Sequence, residues 1–398
     1  MEGTKLQRLR LRDNLTGQGL ILATLGLLAI GVIMIYSTYG AARPAANWYE
    51  RGDAREAIFA AVAVLVMMLV GRADYHFLAK SPWPNNRLLK HITPASLLLF
   101  LGLFTSAILF IPGVGHSVGG RVRWIRFGPF GFQPPDLLKL GLMIWLAVYL
   151  SRPERKMLSF WRTFVPAMLV IGISDLLVVT QNFSNAALIG LAAAALVIMA
   201  GVRWWYLLLL VPLVGAAFYK EVVHVPARWS RITAFVHPYD TSDPNAYQAR
   251  QALIASATGV NPAGLGGGMS KRGFLPECST DFVYSVVCEE MGAAGAALVT
   301  GLLLTWLILA RKAALRAGDS LGALLAAGVG FAIILQAVLH IAVNMALFPT
   351  TGQPLPFVSS GGTALLTNSA AIGLLVSVSS RRRHEGAADA VEALPATA

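Results

Sequence analysis

Residues 18–37 read QGLILATLGLLAIGVIMIYS, twenty residues without a charge. At about 1.5 Å per residue, a helix of this length spans the roughly 30 Å hydrocarbon core of a bilayer. Comparable apolar runs follow near 57–71, 92–111, 137–150, 163–180, 186–200, 202–219, 283–310, 321–347 and 363–379. The pattern predicts an all-α polytopic membrane protein with about ten transmembrane helices. A large extracytoplasmic loop is expected between the seventh and eighth. Composition agrees. Of 398 residues, 56% are hydrophobic and 13% charged, against about 25% charged in a soluble domain. Mean hydropathy is +0.62. So few charges cannot cover so much apolar surface in water. A soluble enzyme, a disordered chain and a disulfide scaffold are excluded.

The formal net charge of +12 reports topology rather than a nucleic-acid partner. Segments 1–17, 72–91, 151–162, 201–203, 311–319 and 381–384 carry 19 of the 32 Lys and Arg residues. The alternate segments, 38–56, 111–136, 220–282 and 348–362, carry 12, and Lys139 stands at the mouth of the fourth run. Positive residues concentrate in cytoplasmic loops, so both termini are expected in the cytoplasm. The basic run before residue 18 is read as part of a retained anchor rather than a cleaved signal. The domains expected are a basic N-terminus (1–17), a membrane domain (18–380) and a disordered Ala-rich tail (381–398). Cys278 and Cys288, if on one helix, would lie about 15 Å apart, too far for a disulfide, and they form no metal framework.

The outer segments are too rich to be plain hairpin loops. Segment 220–282 is 63 residues long, a length uncommon for a structureless loop unless it is functional or disordered. Its Trp229, Phe235, Tyr239, Tyr247 and Phe274 argue against disorder. Asp281 lies in LPECSTDF (275–282), at the outer mouth of the eighth run. One reading is a helix-end carboxylate favoured by the dipole; the other is a proton acceptor at the membrane surface. Glu289 and Glu290 follow about two turns on, where intramembrane acids are usually paired or functional. Arg121, Arg123, Arg126, Lys139, Arg228, Arg231, Lys271 and Arg272 cluster on the side where positive charge is normally depleted, which suits capture of a lipid pyrophosphate. Gln336, His340 and Asn344 recur every fourth residue, one polar stripe expected to bond between helices.

Five stretches together resemble the SEDS family (shape, elongation, division, sporulation), the FtsW/RodA group of polytopic peptidoglycan glycosyltransferases. Gly120-Arg121-Val122-Arg123-Trp124-Ile125, with Gln133-Pro134-Pro135-Asp136 and Lys139, resembles G-x-x-x-W-I … Q-P-S-E-x-x-K. Arg228 to Pro238, then Tyr247-Gln248 and Gln251, resembles R-x-x-R-x-x-x-F-x-x-P … Y-Q-x-x-Q. Gly264-Leu265-Gly266, Leu275-Pro276-Glu277 and Thr280-Asp281-Phe282 resemble G-x-G … L-P-E-x-x-T-D-F. Gln336 to Asn344 resembles Q-x-x-x-H-I-x-V-N, and Thr350 to Gly362 resembles T-T-G-x-x-L-P-F-x-S-x-G-G. Two departures stand out. Pro135-Asp136 replaces Ser-Glu, and Gln181-Asn182-Phe183-Ser184-Asn185-Ala186 stands where many members have P-D-F-G-T-A.

The resemblance implies the SEDS fold and polymerisation of lipid II on the outer leaflet. An acceptor hydroxyl would attack the donor sugar's anomeric carbon and expel lipid pyrophosphate. It nominates Asp281 as the catalytic residue. Lys139, Arg228, Arg231, Lys271, Gln133, Asp136 and Ser359 are nominated for substrate. Glu277, Glu289, Glu290, His340 and Asn344 are nominated as support. The partners implied are lipid II, a class B penicillin-binding transpeptidase and other division or elongation proteins; no nucleic acid is expected. No resident cofactor is implied, although a divalent cation would be chemically suited to the leaving group. The Asn-Phe-Ser turn leans towards an FtsW-like septal role over a RodA-like lateral one. A lipid flippase would need alternating repeats, which are not evident. A division scaffold would need no carboxylate at 281.

Overall fold

A computed structural model describes residues 14–40, 51–83, 85–86, 92–118, 121–127, 130–153, 159–240 and 242–381. Most of the basic N-terminus and the tail beyond Arg381 lie outside the described residues. Each of the ten apolar runs falls on helix. The helices are α1 (Leu15–Gly40), α2 (Gly52–Arg72), α3 (Pro94–Ile108), α4 (Pro134–Leu150), α5 (Val165–Val179), α6 (Phe183–Met199), α7 (Val211–Phe218), α8 (Pro226–Val236), α9 (Pro244–Thr258), α10 (Val283–Leu315), α11 (Ser320–Asn344) and α12 (Gly362–Ser380). Among the described residues, seven helical segments are long and apolar enough to cross a membrane, including the composite Trp204–Val223 around α7. The helices α3 and α6 are shorter and equally apolar. The chain is a membrane protein.

Local chemistry sets the helix starts. Thr93 and Ser96 form a reciprocal capping box at α3. Pro134 and Pro135 open α4, where a missing N–H costs nothing. Asp243 caps α9 and Asp319 caps α11. The centre of the bundle is α4, whose Leu138, Leu142, Leu146 and Leu150 are fully or almost fully buried. It packs against α3, α6, α11 and α12. Contact with α3 is backbone to backbone: a Cβ on Gly102 would lie 2.7 Å from the Leu138 Cα, and one on Gly141 would lie 3.1 Å from the Leu98 carbonyl. Such small-residue contact is how membrane helices associate without a hydrophobic drive between them. The α7 segment is peripheral, with Leu208, Leu213 and Phe218 exposed.

Two features depart from a plain helical bundle. The helical architecture is as expected, and it carries in addition a small antiparallel sheet, β1 (Gly115–Val118), β2 (Arg121–Phe127) and β3 (Phe130–Phe132), in the order β1-β2-β3. Its signal is the alternation Arg121-Val122-Arg123-Trp124, a period of two, resumed out of phase over Ile125-Arg126-Phe127. The long 220–282 segment is largely helical, holding α8 and α9. Within α10, Gly292 adopts φ 68°, ψ −165°, which a side chain would resist. The Pro262 ring and Gly259 carbonyl pack into this kink. The Ala263 N–H donates to the Glu289 carbonyl at 2.9 Å.

Candidate functional site

One end of the bundle gathers the motif segments, and Asp281 lies at their junction. Its loop turns on Glu277, a non-glycine residue at φ 56°. The Glu277 carbonyl accepts the N–H groups of Thr280, Asp281 and Phe282 at 3.0–3.3 Å. The Glu277 carboxylate accepts the Thr280 hydroxyl at 2.9 Å. Leu275 and Phe282 anchor the loop in a small cluster with Ala252 and Val343. Phe282 occupies the N-cap of α10 without a side-chain bond. Asp281 is therefore not that helix's capping carboxylate. Cys278 belongs to this loop rather than to α10, and both cysteines are free.

The α11 stripe pins this loop. Asn344 donates to the Asp281 carbonyl at 3.0 Å and accepts from the Ser285 N–H and hydroxyl, both at 2.9 Å. One turn back, the His340 Nδ1 meets the Gln353 carbonyl at 2.8 Å. One turn further, Gln336 donates to the Pro354 carbonyl at 2.8 Å and accepts from the Lys139 Nζ at 2.6 Å. Lys139 and Asp136 are both buried, one helical turn apart on α4. Ser359 completes the junction from the other side. Its hydroxyl donates to the Thr280 carbonyl at 2.6 Å and accepts the Leu355 N–H at 2.8 Å. The Gln133 N–H donates to Thr363 at 3.2 Å, joining the entry of α4 to α12.

The Asp281 carboxylate differs from those of Glu277, Glu289 and Glu290, which all accept hydrogen bonds. Among the described residues no hydrogen bond engages it. Burial raises its pKa to about 7, with a further rise from the Glu277 charge, opposed by attraction to Arg231 and Arg123. A carboxylate poised near neutrality and free of donors can accept a proton. Gly352 lies close: a Cβ there would be 3.4 Å from the Asp281 Oδ2. Burial lowers the Arg231 pKa, opposed by Asp281.

Other nominated residues are differently placed. The Arg228 guanidinium is largely buried. It donates to the Glu221 carboxylate and carbonyl at 2.7 Å, and to the Val179 and Thr180 carbonyls at 2.9 and 3.0 Å. It thus ties α8 to the α5–α6 turn. Lys271 forms a buried ion pair with Glu290 at 2.7 Å and also donates to Ser37 of α1. Glu289 accepts the Met269 N–H at 2.7 Å and the Ser270 N–H at 3.3 Å. Charge is visible in sequence, but these partners are not. The Arg123 Nε donates to the Gln181 carbonyl at 3.2 Å, so β2 also grips the α5–α6 turn. There, Asn182 caps α6 by accepting the Asn185 N–H at 3.2 Å. The side chain of Arg121 lies outside the described residues. Among the described residues no group of three His, Cys, Asp or Glu side chains gathers for a metal. Sequence reading missed Glu56, buried in α2 and bonded to Ser360.

The chain is similar to known proteins. The family model described as "Cell cycle protein", covering FtsW, RodA and SpoVE, matches residues 18–384. A probable peptidoglycan glycosyltransferase FtsW of Thioalkalivibrio sulfidiphilus is 34% identical over 367 residues, 90% of this chain and 88% of that protein. The stage V sporulation protein E of Bacillus subtilis is 31% identical over 374 residues, 92% of this chain and 97% of that protein. Among solved structures, one from a peptidoglycan synthase complex aligns with a TM-score of 0.73 over 92% of this chain and 98% of that one, at 23% identity. RodA of Thermus thermophilus aligns with a TM-score of 0.64 over 92% and 97%, also at 23% identity. At that identity the two structures speak for the fold alone.

Proposed function

The chain belongs to the FtsW/RodA/SpoVE family, and from that premise we propose that it is a peptidoglycan glycosyltransferase polymerising lipid II. The observation that carries this reading is the Asp281 carboxylate, unbonded beside two guanidinium residues at the junction of the motif segments. Asp281 acts as general base on the acceptor hydroxyl. Arg231 and Arg123 stabilise the departing pyrophosphate. Glu277, Asn344 and Ser359 hold the Asp281 loop, and Gln336 and His340 hold the 353–354 turn beside it. Lys139 and Asp136 form the buried base of the site, with Gln133 at its edge. Arg228 and the Lys271–Glu290 pair, with Glu289, brace the surrounding segments.

The same reading places the enzyme in the cytoplasmic membrane. The membrane domain is residues 18–380, both termini are cytoplasmic and the 220–282 segment is outside. The partner is a class B penicillin-binding transpeptidase, and the role is septal. The positive-residue asymmetry and the names of the relatives support this. An impermeant thiol reagent should label a cysteine at Tyr239 in intact cells and leave one at Arg316 unlabelled. The deciding experiment is lipid II polymerisation by the purified protein, with and without its transpeptidase. Glycan strands that lengthen with the partner present are expected. Lipid translocation without strands would favour a flippase, and neither activity would favour a scaffold.

A further inference from the structure

The helices α2 and α12 pack together, and near the Asp281 junction they meet through one carboxylate. Glu56 sits in the second turn of α2 and is 6% exposed. Its Oε2 accepts the Ser360 hydroxyl at 3.2 Å, and the carboxylate faces the Gly361 N–H. Gly361 is the N-cap of α12 and has no side chain with which to cap it. The first N–H groups of a helix need acceptors and favour negative charge. Glu56 brings a carboxylate to this end from a neighbouring helix. One turn along α2, Phe59 closes the contact: a Cβ on Gly362 would lie 2.6 Å from its ring.

The segment that Glu56 holds is the one that grips the Asp281 loop. The Ser360 N–H donates to the Ser279 carbonyl at 2.9 Å, and the Ser359 hydroxyl donates to the Thr280 carbonyl at 2.6 Å. Phe357, three residues before Ser360, sits at φ 67°. A side-chain-bearing residue persists there only when its surroundings enforce it. The segment therefore depends on external anchors, and Glu56 is the buried ionisable one. A carboxylate at this depth is costly unless it has donors.

We propose that Glu56 is a positioning residue for Asp281. By holding Ser360 and placing a carboxylate at the start of α12, it fixes the 357–361 segment, which fixes the 279–281 peptide. The inference rests on the proposed catalytic role of Asp281; Glu56 itself need not touch substrate.

The test uses the full-length protein with its transpeptidase and lipid II. Glu56→Ala should lower kcat about tenfold to hundredfold while leaving the lipid II KM within about twofold, because a displacement of about 1 Å suffices for such a loss. Glu56→Gln keeps an acceptor oxygen in place and should recover most of it. Hydrogen–deuterium exchange supplies a readout independent of chemistry. In Glu56→Ala, peptides covering 277–282 and 357–362 should exchange faster, with α4 and the far half of α10 unchanged. Unchanged kcat in Glu56→Ala overturns the inference. So does faster exchange throughout the bundle, which would make Glu56 a residue of the fold only. If Asp281→Asn polymerises normally, the catalytic reading fails whatever the exchange shows. If Asp281→Asn is inactive and Glu56→Ala is not impaired, the positioning inference alone fails.

Discussion

Two acidic regions sit within one stretch of chain, from Glu277 to Glu290, and their carboxylates have opposite fates. Glu289 and Glu290 are both engaged. They accept the N–H groups of Gly266, Met269 and Ser270, the Ser37 hydroxyl and the Lys271 ammonium. Their work is to fasten a glycine-rich loop to α10 and α1. Asp281, eight residues before Glu289, has its backbone held by Asn344 and its carboxylate left without a donor. The lesson is that hydrogen-bond accounting separates a structural acid from a chemical one. Position and charge alone do not. A buried acid held by several donors is a strut, whereas one rigidly held but unbonded is available for proton transfer.

The sharpest way to break this comparison is to change each acid region in turn. Asp281→Asn preserves shape and removes the basic oxygen. Polymerisation should fall by about 10²–10⁴-fold, with expression, transpeptidase binding and lipid II binding retained. Activity near that of the parent would demote Asp281 to the same class as Glu289. The converse change is Lys271→Met, which leaves Glu290 buried beside no cation. Breaking such a pair costs about 3–5 kcal/mol, so thermal unfolding in detergent should shift down markedly. The double change Lys271→Met with Glu290→Gln should restore much of it. A silent Lys271→Met would mean that the pair holds nothing.

Among the basic residues the same division applies. Arg228→Ala removes four hydrogen bonds and leaves the Glu221 carboxylate without its guanidinium partner. A loss of about 1–3 kcal/mol in stability is expected, and activity should follow stability. Arg231→Ala should instead weaken turnover in protein that melts normally. The reverse pattern in paired melting and activity assays would exchange their roles. The smallest effect is expected at Asn182→Asp. Asn and Asp are comparable N-caps, so melting and polymerisation should stay within a few-fold of the parent. A collapse in activity with normal melting would show that charge at this turn matters.

What sequence made legible follows from the range of each signal. The ten runs were visible because a span is a continuous local property. The stripe of Gln336, His340 and Asn344 was visible because it repeats with the helix period. The sheet was harder to see, since the alternation in β2 runs only from Arg121 to Trp124 before Ile125 breaks it. Asp281 was nominated from its motif, but its freedom from donors is a fact of the fold. The partners of Arg228 and Lys271 were not legible because sequence displays charge and hides partners: Lys271 and Ser37 are 234 residues apart. Glu56 was invisible for the same reason, 304 residues from Ser360.

The central claim is that Asp281 is a base whose pKa is set by its fold, and the pH–rate profile tests it most directly. Only the ionised carboxylate accepts a proton, so kcat for lipid II polymerisation should rise with pH through a limb near 7. The Glu277 charge raises that pKa and Arg231 lowers it. Glu277→Gln should therefore move the limb to lower pH, and Arg231→Ala should move it higher. A profile flat between about pH 5 and 8, or a limb that neither substitution moves, would contradict the account.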